Sequence, residues 1–260
     1  MIRALYSSAS GMKAQETMLD VTANNLANVN TNGFKRSNVD FADLLYNTIR
    51  APGANLTAGQ SAPVGLEIGS GARAMSTTKL FTPGTIELTG NATDMAIQGD
   101  GFFQVELANG EVRYTRDGAF HRDQDGTLVT ADGAILTPQI SIPSDASNIN
   151  IGEYGNVSYT QNGVTQDAGV IQLVNFANPA GLSSEGGNLL AETQASGNPL
   201  AGDPGTQGLG TILGKYLERS NVEVVTELVS LITAQRAYEV NARAIRAGDE
   251  MLSNTAQIVR

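Results

Sequence analysis

The residues best suited to chemistry in this chain lie around its only histidine. His121 is preceded by Asp117 and followed by Asp123, and imidazole and carboxylate groups are common ligands of divalent cations. The spacing does not match an EF-hand loop, because the further ligand pair and the closing glutamate are missing. Asp117-Gly118 and Asp125-Gly126 are strong turn signals, so we predict two hairpin turns here and no metal site.

Catalytic groups of other kinds are missing or scattered. The chain has no cysteine and no Gly-x-Ser-x-Gly segment, which removes the common nucleophilic triads. The glycine pair around Asp100 lacks the lysine and the following helix of a phosphate-binding loop. Glu185 and Glu192 could act as the paired carboxylates of a glycan-cutting enzyme, but nothing around them marks them out. We therefore predict no enzyme, with no catalytic residue, cofactor or metal.

The composition narrows the classes of partner. The 260 residues carry 16 basic and 26 acidic side chains, a formal net charge of −10. Nucleic acids and anionic membrane surfaces attract basic proteins, so we predict neither as a partner. No run reaches the roughly 18 to 20 apolar residues of a membrane span, and the N-terminus lacks the apolar segment of a cleavable signal. We expect no membrane insertion and, if the chain is exported, a route that keeps its N-terminus.

Both ends of the chain have apolar residues at alternating spacings of three and four. This pattern places a narrow apolar seam along one side of a helix, as in a coiled coil. The N-terminal seam comprises Ile2, Leu5, Ala9, Met12, Glu16, Leu19, Ala23 and Leu26. The C-terminal seam comprises Val224, Leu228, Leu231, Gln235, Tyr238, Ala242, Ile245, Asp249, Leu252, Ala256 and Val259. We predict helices over residues 2–30 and about 211–260 that pair with each other and then with further copies.

The middle of the chain is rich in turn signals. Residues 51–71 contain two prolines and five glycines and are predicted to form an extended excursion outside the core. From Ala72 to about Leu209, six Asn-Gly or Asp-Gly pairs separate short β-prone runs, which favours antiparallel strands. These pairs begin at Asp100, Asn109, Asp117, Asp125, Asp132 and Asn162.

These patterns together predict a discontinuous α+β fold. Residues 1–30 with 211–260 are predicted to form a coiled-coil domain, 31–71 a linker with the excursion, and 72–210 an antiparallel β domain. A single pair of long helices with narrow seams is marginal without further burial, so we expect these ends to order on assembly. Burial of the C-terminal seam in the chain's own core is the alternative.

Several segments resemble the signature sequences of bacterial flagellar rod and hook proteins. Residues 23–35, ANNLANVNTNGFK, resemble the family's N-terminal signature, and residues 231–241, LITAQRAYEVN, resemble its C-terminal signature. Residues 89–103, TGNATDMAIQGDGFF, and 114–120, YTRDGAF, resemble its central motif. The likeness therefore extends from one end of the chain to the other.

Within that family the chain resembles the distal rod type more than the proximal one. The hook protein is longer, and the smallest rod proteins lack a β domain. Residues 46–73 and the segment 214–225, GKYLERSNVEVV, resemble the distal type. A proximal rod protein of similar size is the alternative within the family. Outside it, the alternatives are a β-rich oligomeric binding module and a peptidoglycan-cutting enzyme.

The resemblance implies a structural subunit of the flagellar basal body. Family members pass unfolded through the type III export apparatus without signal cleavage and polymerise helically into the periplasmic drive shaft. Their terminal helices form the inner tube around the export channel, and the β domain forms the outer wall. The distal rod reaches the outer membrane, turns inside the P and L rings and transmits torque to the hook.

The resemblance also implies partners and assembly residues. The partners are further copies of the chain, the proximal rod proteins, the hook protein, the P-ring and L-ring proteins and the export apparatus. We expect the excursion to lie on a neighbouring subunit and to prevent axial sliding. The residues expected to carry self-assembly are Leu5, Met12, Leu19, Asn24, Asn25, Leu26, Asn28, Leu228, Leu231, Gln235, Arg236, Tyr238, Asn241, Ile245 and Leu252.

Overall fold

The computed structural model describes the chain except residues 1, 54, 58–59, 62 and 259–260. The chain divides into two compact units. The helical unit consists of Met1–Leu26, Ser37–Thr78 and Glu223–Arg260, and the β unit consists of Ala27–Arg36 and Lys79–Val222. The prediction of terminal helices and a central, mostly antiparallel β region is confirmed.

The helical unit contains two long helices and a run of short strands. Helix α1 is Ile2–Ala27 and helix α2 is Val224–Ile258. The strands between them are β1 Ser37–Asp43, β2 Asn47–Arg50, β3 Asn55–Thr57, β4 Gln60–Ser61, β5 Leu66–Ile68 and β6 Ala72–Lys79. They pair in a nested order, β1 with β6, β2 with β5 and β3 with β4. The predicted excursion therefore contains the three short paired strands β3, β4 and β5, and its residues Leu66 and Ile68 are exposed.

The β unit consists of short strands and a single 3₁₀ turn in the part of the chain that the structure describes. Its first strands are β7 Ile86–Leu88, β8 Met95–Gln98, β9 Phe102–Glu106, β10 Val112–Thr115, β11 His121–Arg122, β12 Leu128–Val129, β13 Ile135–Thr137 and β14 Ser147–Ile151. The others are β15 Asn156–Gln161, β16 Val164–Val170, β17 Leu173–Asn175, β18 Ser183–Gly186, β19 Leu189–Ala191, β20 Leu200–Gly202, β21 Thr211–Gly214 and β22 Tyr216–Glu218. The 3₁₀ turn is Pro179–Gly181.

The largest sheet is organised around β9. Its strand order is β11-β12-β13-β9-β10-β19-β18, and β17 joins β9 to β20. Because side chains alternate along a strand, Phe103 and Val105 join one buried cluster and Phe102 joins another. Phe103 packs edge to face against Phe120, with 5.4 Å between ring centroids. Both faces of β9 are therefore buried, which places the core of the β unit on either side of this strand.

Four of the six predicted Asx-Gly hairpin turns, at Asn109, Asp125, Asp132 and Asn162, connect paired antiparallel strands. The prediction is wrong for the pairs at Asp100 and Asp117, because the strands on either side of each do not pair with each other. The glycines of these four turns have φ angles between 80° and 84°, as tight turns require: Gly110, Gly126, Gly133 and Gly163. Gly118 does not have a positive φ. A Cβ atom at Gly118 would overlap the carbonyl oxygen of Met95, so this glycine is needed for close backbone approach instead.

The predicted start of the C-terminal helix is wrong. Residues from Thr211 onward form β21, which pairs with β8, and β22, which pairs with β7, and α2 begins only at Val224. Lys215 between the two strands has a left-handed φ of 69°, which a continuing helix does not allow. Ile212 is completely buried, so tertiary burial decides the local structure here. The compact units accordingly divide the chain at positions other than 30, 71 and 210.

Candidate functional site

The two long helices touch each other in the helical unit. A Cβ atom added at Gly248 would lie 2.7 Å from Leu5 Cδ2, and one added at Gly11 would lie 2.9 Å from Asn241 Nδ2. Asn25 Nδ2 donates a hydrogen bond to Glu227 Oε2 at 3.3 Å. Residue numbers rise along α1 while their partners' numbers fall along α2, so the helices run antiparallel.

The faces that meet are turned slightly from the predicted seams. Ala14 and Ala234 are buried, with 5% and 1% of their surface exposed, although neither belongs to a predicted seam. The seam residues Ala9, Glu16 and Ala23 are exposed instead. Small side chains and glycines allow a closer approach of two helices than leucines do, and this explains why they occupy the contact.

The predicted assembly residues fall into three groups. Asn25 alone among them is buried. The half-buried ones are Leu5, Met12, Leu19, Leu26, Asn28, Leu231, Asn241, Ile245 and Leu252. The exposed ones are Asn24, Leu228, Gln235, Arg236 and Tyr238. Leu5 and Asn241 of the half-buried group lie where the two helices meet, whereas Leu228, Gln235, Arg236 and Tyr238 are exposed on α2.

A second apolar face lies on the first half of α2, away from α1. We call it the outer stripe, and it consists of Val225, Leu228, Val229 and Ile232, with 68%, 42%, 59% and 48% of their surface exposed. These positions follow the i, i+3, i+4, i+7 spacing of one helix face. Further along the same face Val240 is also exposed, and beyond it lie charged residues such as Arg243 and Glu250. A cluster of large exposed apolar side chains marks a contact surface.

Three members of the outer stripe lie outside the predicted seams. Val225, Val229 and Ile232 are next to seam positions and belong to no predicted contact surface. The available signal is the doubling of apolar residues at 224–225, 228–229 and 231–232, because one helix with two adjacent apolar positions in each turn has two apolar faces.

Asn25 ties three segments of the helical unit together. Its Nδ2 donates to the backbone oxygen of Ser37 at 2.9 Å, and its Oδ1 accepts from the backbone nitrogen of Ser37 at 2.9 Å. The same Nδ2 reaches Glu227, whose side chain is also buried. One amide thus pairs with the start of β1 and with α2, and it sets the position of α1 against both.

The β unit contains a buried cluster of three charged side chains. Glu218 Oε1 accepts from Lys35 Nζ at 2.6 Å, and Glu218 Oε2 accepts from Arg116 Nε at 2.7 Å. All three side chains are at most 5% exposed. Arg116 also donates to the backbone oxygens of Gly99 and Gly101. The cluster has two cations but only one carboxylate, and these carbonyl groups help to solvate the charge of Arg116.

Burial and attraction act in opposite directions on the pKa values of this cluster. Burial lowers the pKa of Lys35, and this effect exceeds the rise caused by the attraction of Glu218. Burial raises the pKa of Glu218, but the attraction of Arg116 and Lys35 outweighs it and holds that pKa below its usual range. The carboxylate is therefore the charge that the fold stabilises.

The region around the single histidine consists of turns and strand ends. Asp117 accepts hydrogen bonds from the backbone nitrogen of Ala119 at 3.0 Å and from Asn188 at 3.0 Å. His121 is exposed in β11. Among the residues that the structure describes, no three histidine, cysteine or acidic side chains come together as a metal site. Nor does any described helix have the length and apolar content needed to cross a membrane.

Three family profiles match separate parts of the chain. The profile described as flagella basal body rod protein matches residues 5–35, and the one described as flagellar hook protein FlgE/F/G D1 domain matches residues 96–159. The profile for the C-terminal part of flagellar basal body rod FlgEFG proteins matches residues 213–258. Each matched segment supplies one member of the buried charge cluster, since Lys35, Arg116 and Glu218 fall in successive segments.

Curated relatives match the chain over its whole length. The flagellar basal-body rod protein FlgG of Buchnera aphidicola subsp. Schizaphis graminum is 47% identical over 260 residues, 99% of this chain and 100% of its own. The proteins of the same description from Agrobacterium fabrum and Bacillus subtilis are 45% and 41% identical. Those alignments cover 97% of both chains and 100% of both chains respectively.

These matches show both the family and the general role. Rod and hook proteins are structural components of the flagellum, so the chain is a structural subunit and not an enzyme. The chain belongs to the family of flagellar rod and hook proteins, and within it to the FlgG basal-body rod proteins.

Proposed function

We propose that this chain is the distal rod subunit, which polymerises helically into the periplasmic drive shaft between the proximal rod and the hook. The outer stripe of α2 is the observation that carries the proposal. One side of α2 already packs on α1, and the opposite side still exposes four large apolar residues. Burial of apolar surface stabilises association by roughly 25 cal/mol per Å², so a neighbouring subunit is the natural occupant of this face.

Each unit has a role in this proposal. The helices α1 and α2 form a coiled-coil domain that lines the inner tube around the export channel. The β unit forms the outer wall and turns inside the P and L rings. The chain reaches this place through the type III export apparatus, with its N-terminus uncleaved, and hands torque to the hook protein.

Replacing Val229 by Asp tests the outer stripe. Val229 is 59% exposed, so we expect the free energy of unfolding of the purified monomer to change by no more than about 0.5 kcal/mol. Assembly should fail, because a charge would then have to be buried between subunits. In a strain that makes only this variant, electron microscopy of basal bodies should show rods that stop short and carry no hook.

Asn254→Asp is the matched control for Val229→Asp. It adds the same charge at an exposed position of the polar half of α2 and should give complete rods and hooks. If strains with Val229→Asp formed complete rods, the outer stripe would not be an assembly surface. Basal bodies that lack the rod base altogether would favour a proximal subunit instead.

The ribbon formed by β2 and β5 is a second candidate contact. Tyr46, Ile49 and Val64 in and beside it are 56%, 56% and 69% exposed. Ser70 Oγ donates to the backbone oxygen of Leu45 at 2.8 Å, so the base of the ribbon is already closed. We propose that the ribbon lies on a neighbouring subunit and prevents axial sliding.

Deleting residues 46–69 and joining Leu45 to Ser70 tests the role of the ribbon. We expect the monomer to unfold at the same denaturant concentration as before, because none of the apolar residues of the ribbon whose burial is described, at 46–53 and 63–69, is buried. The polymer should form but bend, because a contact that opposes sliding is lost. Changing Ile49, Val64 and Leu66 together to Ser should bend it too if apolar contact is the cause. Straight rods from the deletion, seen by electron microscopy, would disprove this role.

A further inference from the structure

The chain contains three Asn-Gly pairs, and they differ in how strongly the fold restrains them. They are Asn32-Gly33, Asn109-Gly110 and Asn162-Gly163. In such a pair the glycine nitrogen can reach the asparagine side chain without hindrance from a side chain of its own. Two conditions decide whether a folded protein allows this attack: the side-chain amide must be free to turn, and the glycine N–H must not be held in a hydrogen bond.

The fold restrains two of the pairs at both atoms. Asn109 Oδ1 accepts from the backbone nitrogen of Glu111 at 3.0 Å, its Nδ2 donates to the Glu111 carboxylate at 2.9 Å, and Gly110 N donates to Leu107 O at 2.8 Å. Both the group to be attacked and the attacking nitrogen are therefore engaged.

The pair Asn32-Gly33 is restrained in the same way and is also enclosed. Asn32 Oδ1 accepts from Arg219 at 3.3 Å, and Gly33 N donates to Glu218 O at 2.8 Å. Gly33 is buried, and an added Cβ atom would lie 2.6 Å from the backbone of Arg116. This pair cannot rearrange unless the β unit opens.

The third pair forms the tip of an open hairpin. Asn162 and Gly163 connect β15 to β16 as a two-residue turn with φ angles of 54° and 80°, and the flanking residues Gln161 and Val164 face each other. Both turn residues are exposed, and nothing lies within 4 Å of a Cβ atom added at Gly163. Neither the Asn162 side chain nor Gly163 N makes a hydrogen bond to any residue that the structure describes.

The strand that follows this turn can open easily. β16 pairs only with β15, and six of its seven residues are exposed. Edge strands with few buried contacts open at a small fraction of the global unfolding free energy. Opening lets the Asn162 backbone rotate to the conformation in which Gly163 N meets its side-chain carbon.

We infer that Asn162 is a site of spontaneous deamidation in the folded protein, whereas Asn32 and Asn109 are protected. Gly163 N loses its proton and bonds to Asn162 Cγ while the Cγ–Nδ2 bond breaks, and ammonia leaves with the transferred proton. Water then adds to one of the two carbonyl carbons of the succinimide ring. Opening of the ring leaves either an aspartate or an isoaspartate, and each carries one new negative charge.

The two products have different structural consequences. An aspartate before Gly163 favours the same two-residue turn as asparagine, so β15 and β16 keep their register. An isoaspartate inserts an extra methylene into the backbone of the turn, which moves Gln161 and Val164 out of register. Deamidated Asn162 should therefore accumulate with the age of the protein, and the isoaspartyl form should destabilise this hairpin in a fraction of old molecules.

Peptide mapping of the full chain after incubation at mildly alkaline pH tests the inference. Deamidated and isoaspartyl forms of each Asn-Gly peptide are separated and counted by mass spectrometry, in native buffer and in concentrated urea. In urea the three pairs should react at similar rates, because only the local sequence then matters. In native buffer Asn32 and Asn109 should react at least about tenfold slower than in urea, the factor that 1.4 kcal/mol of opening free energy gives, while Asn162 keeps most of its rate.

Variants separate protection by the fold from other causes. Glu111→Ala removes the side-chain bond that holds Asn109, and it should speed deamidation at Asn109 while leaving Asn162 unchanged. Asn162→Gln should abolish the reaction at the hairpin, because a glutamine side chain would have to close a larger ring. Equal native rates at Asn109 and Asn162, or a rate at Asn162 that rises tenfold in urea, would overturn the inference.

Discussion

Replacing Glu218 by Gln is expected to lower the free energy of unfolding by about 3–5 kcal/mol, as measured by urea unfolding of the purified chain. The substitution leaves Lys35 and Arg116 buried without a counter-charge, although both are at most 5% exposed. A neutral amide can still accept one hydrogen bond, but it cannot offset the desolvation of two cations. Because these cations come from distant parts of the sequence, the whole β unit should lose stability.

The exposed pair of Arg219 and Glu87 provides the matched control for Glu218→Gln. Its atoms are equally close, at 2.6 Å, but the two side chains are 42% and 57% exposed. Glu87→Gln should therefore change the free energy of unfolding by less than about 1 kcal/mol. A loss at Glu218 no larger than the loss at Glu87 would mean that the cluster is not what holds these segments together.

Acid should reduce the difference between wild type and Glu218→Gln. The pKa of Glu218 lies below its ordinary value in the folded chain, so its carboxylate adds stability above that ordinary value and loses it as the pH falls through the folded pKa. The variant has no carboxyl group at this position and loses nothing there. The two unfolding curves should converge on acidification, and a gap that widens would contradict this account.

The overall architecture could be predicted from the sequence because it depends on local sequence signals. Helical spacing at both ends and Asx-Gly pairs between them predicted the α+β order, and four of the six pairs lie in hairpin turns between paired strands. The predicted start of α2 was wrong because the apolar residues in Thr211–Glu218 are spaced in a way that fits either a helix or a strand. Pairing with β7 and β8, which lie more than a hundred residues earlier, decides it.

The candidate site was harder to predict because it depends on tertiary packing. The sequence alone does not say which face of each helix contacts which other element. The heptad pattern marked apolar positions on both helices but could not reveal that Ala14 and Ala234, which lie outside the predicted seams, are buried. The charge cluster has no local signature at all. Lys35, Arg116 and Glu218 come together only through the fold, and each residue alone looks like an ordinary surface charge in the sequence.

Replacing Asn25 by Asp is expected to separate helix pairing from folding of the β unit. The introduced carboxylate would lie near Glu227, at the position where Asn25 Nδ2 now donates across 3.3 Å, and it could no longer donate to Ser37 O. Two buried carboxylates that face each other repel, so the helical unit should lose about 3 kcal/mol at neutral pH. Subunits with an unpaired α1 should also fail to assemble, because the outer stripe would no longer be held in place.

The pH dependence identifies the cause of a loss at Asn25. A neighbouring carboxylate raises the pKa of the introduced group, so the folded variant binds a proton more tightly than the unfolded one and regains stability as the pH falls through that raised pKa. Hydrogen exchange on α1 and α2 should show this recovery, while amides of the β unit stay unchanged. Asn38→Asp adds the same group at an exposed position of β1 and should have little effect at any pH. If Asn25→Asp has equally little effect on the stability of the helical unit, then the buried amide does not determine how α1 packs on α2. The small side chains of Ala14 and Ala234 would then be sufficient for that packing.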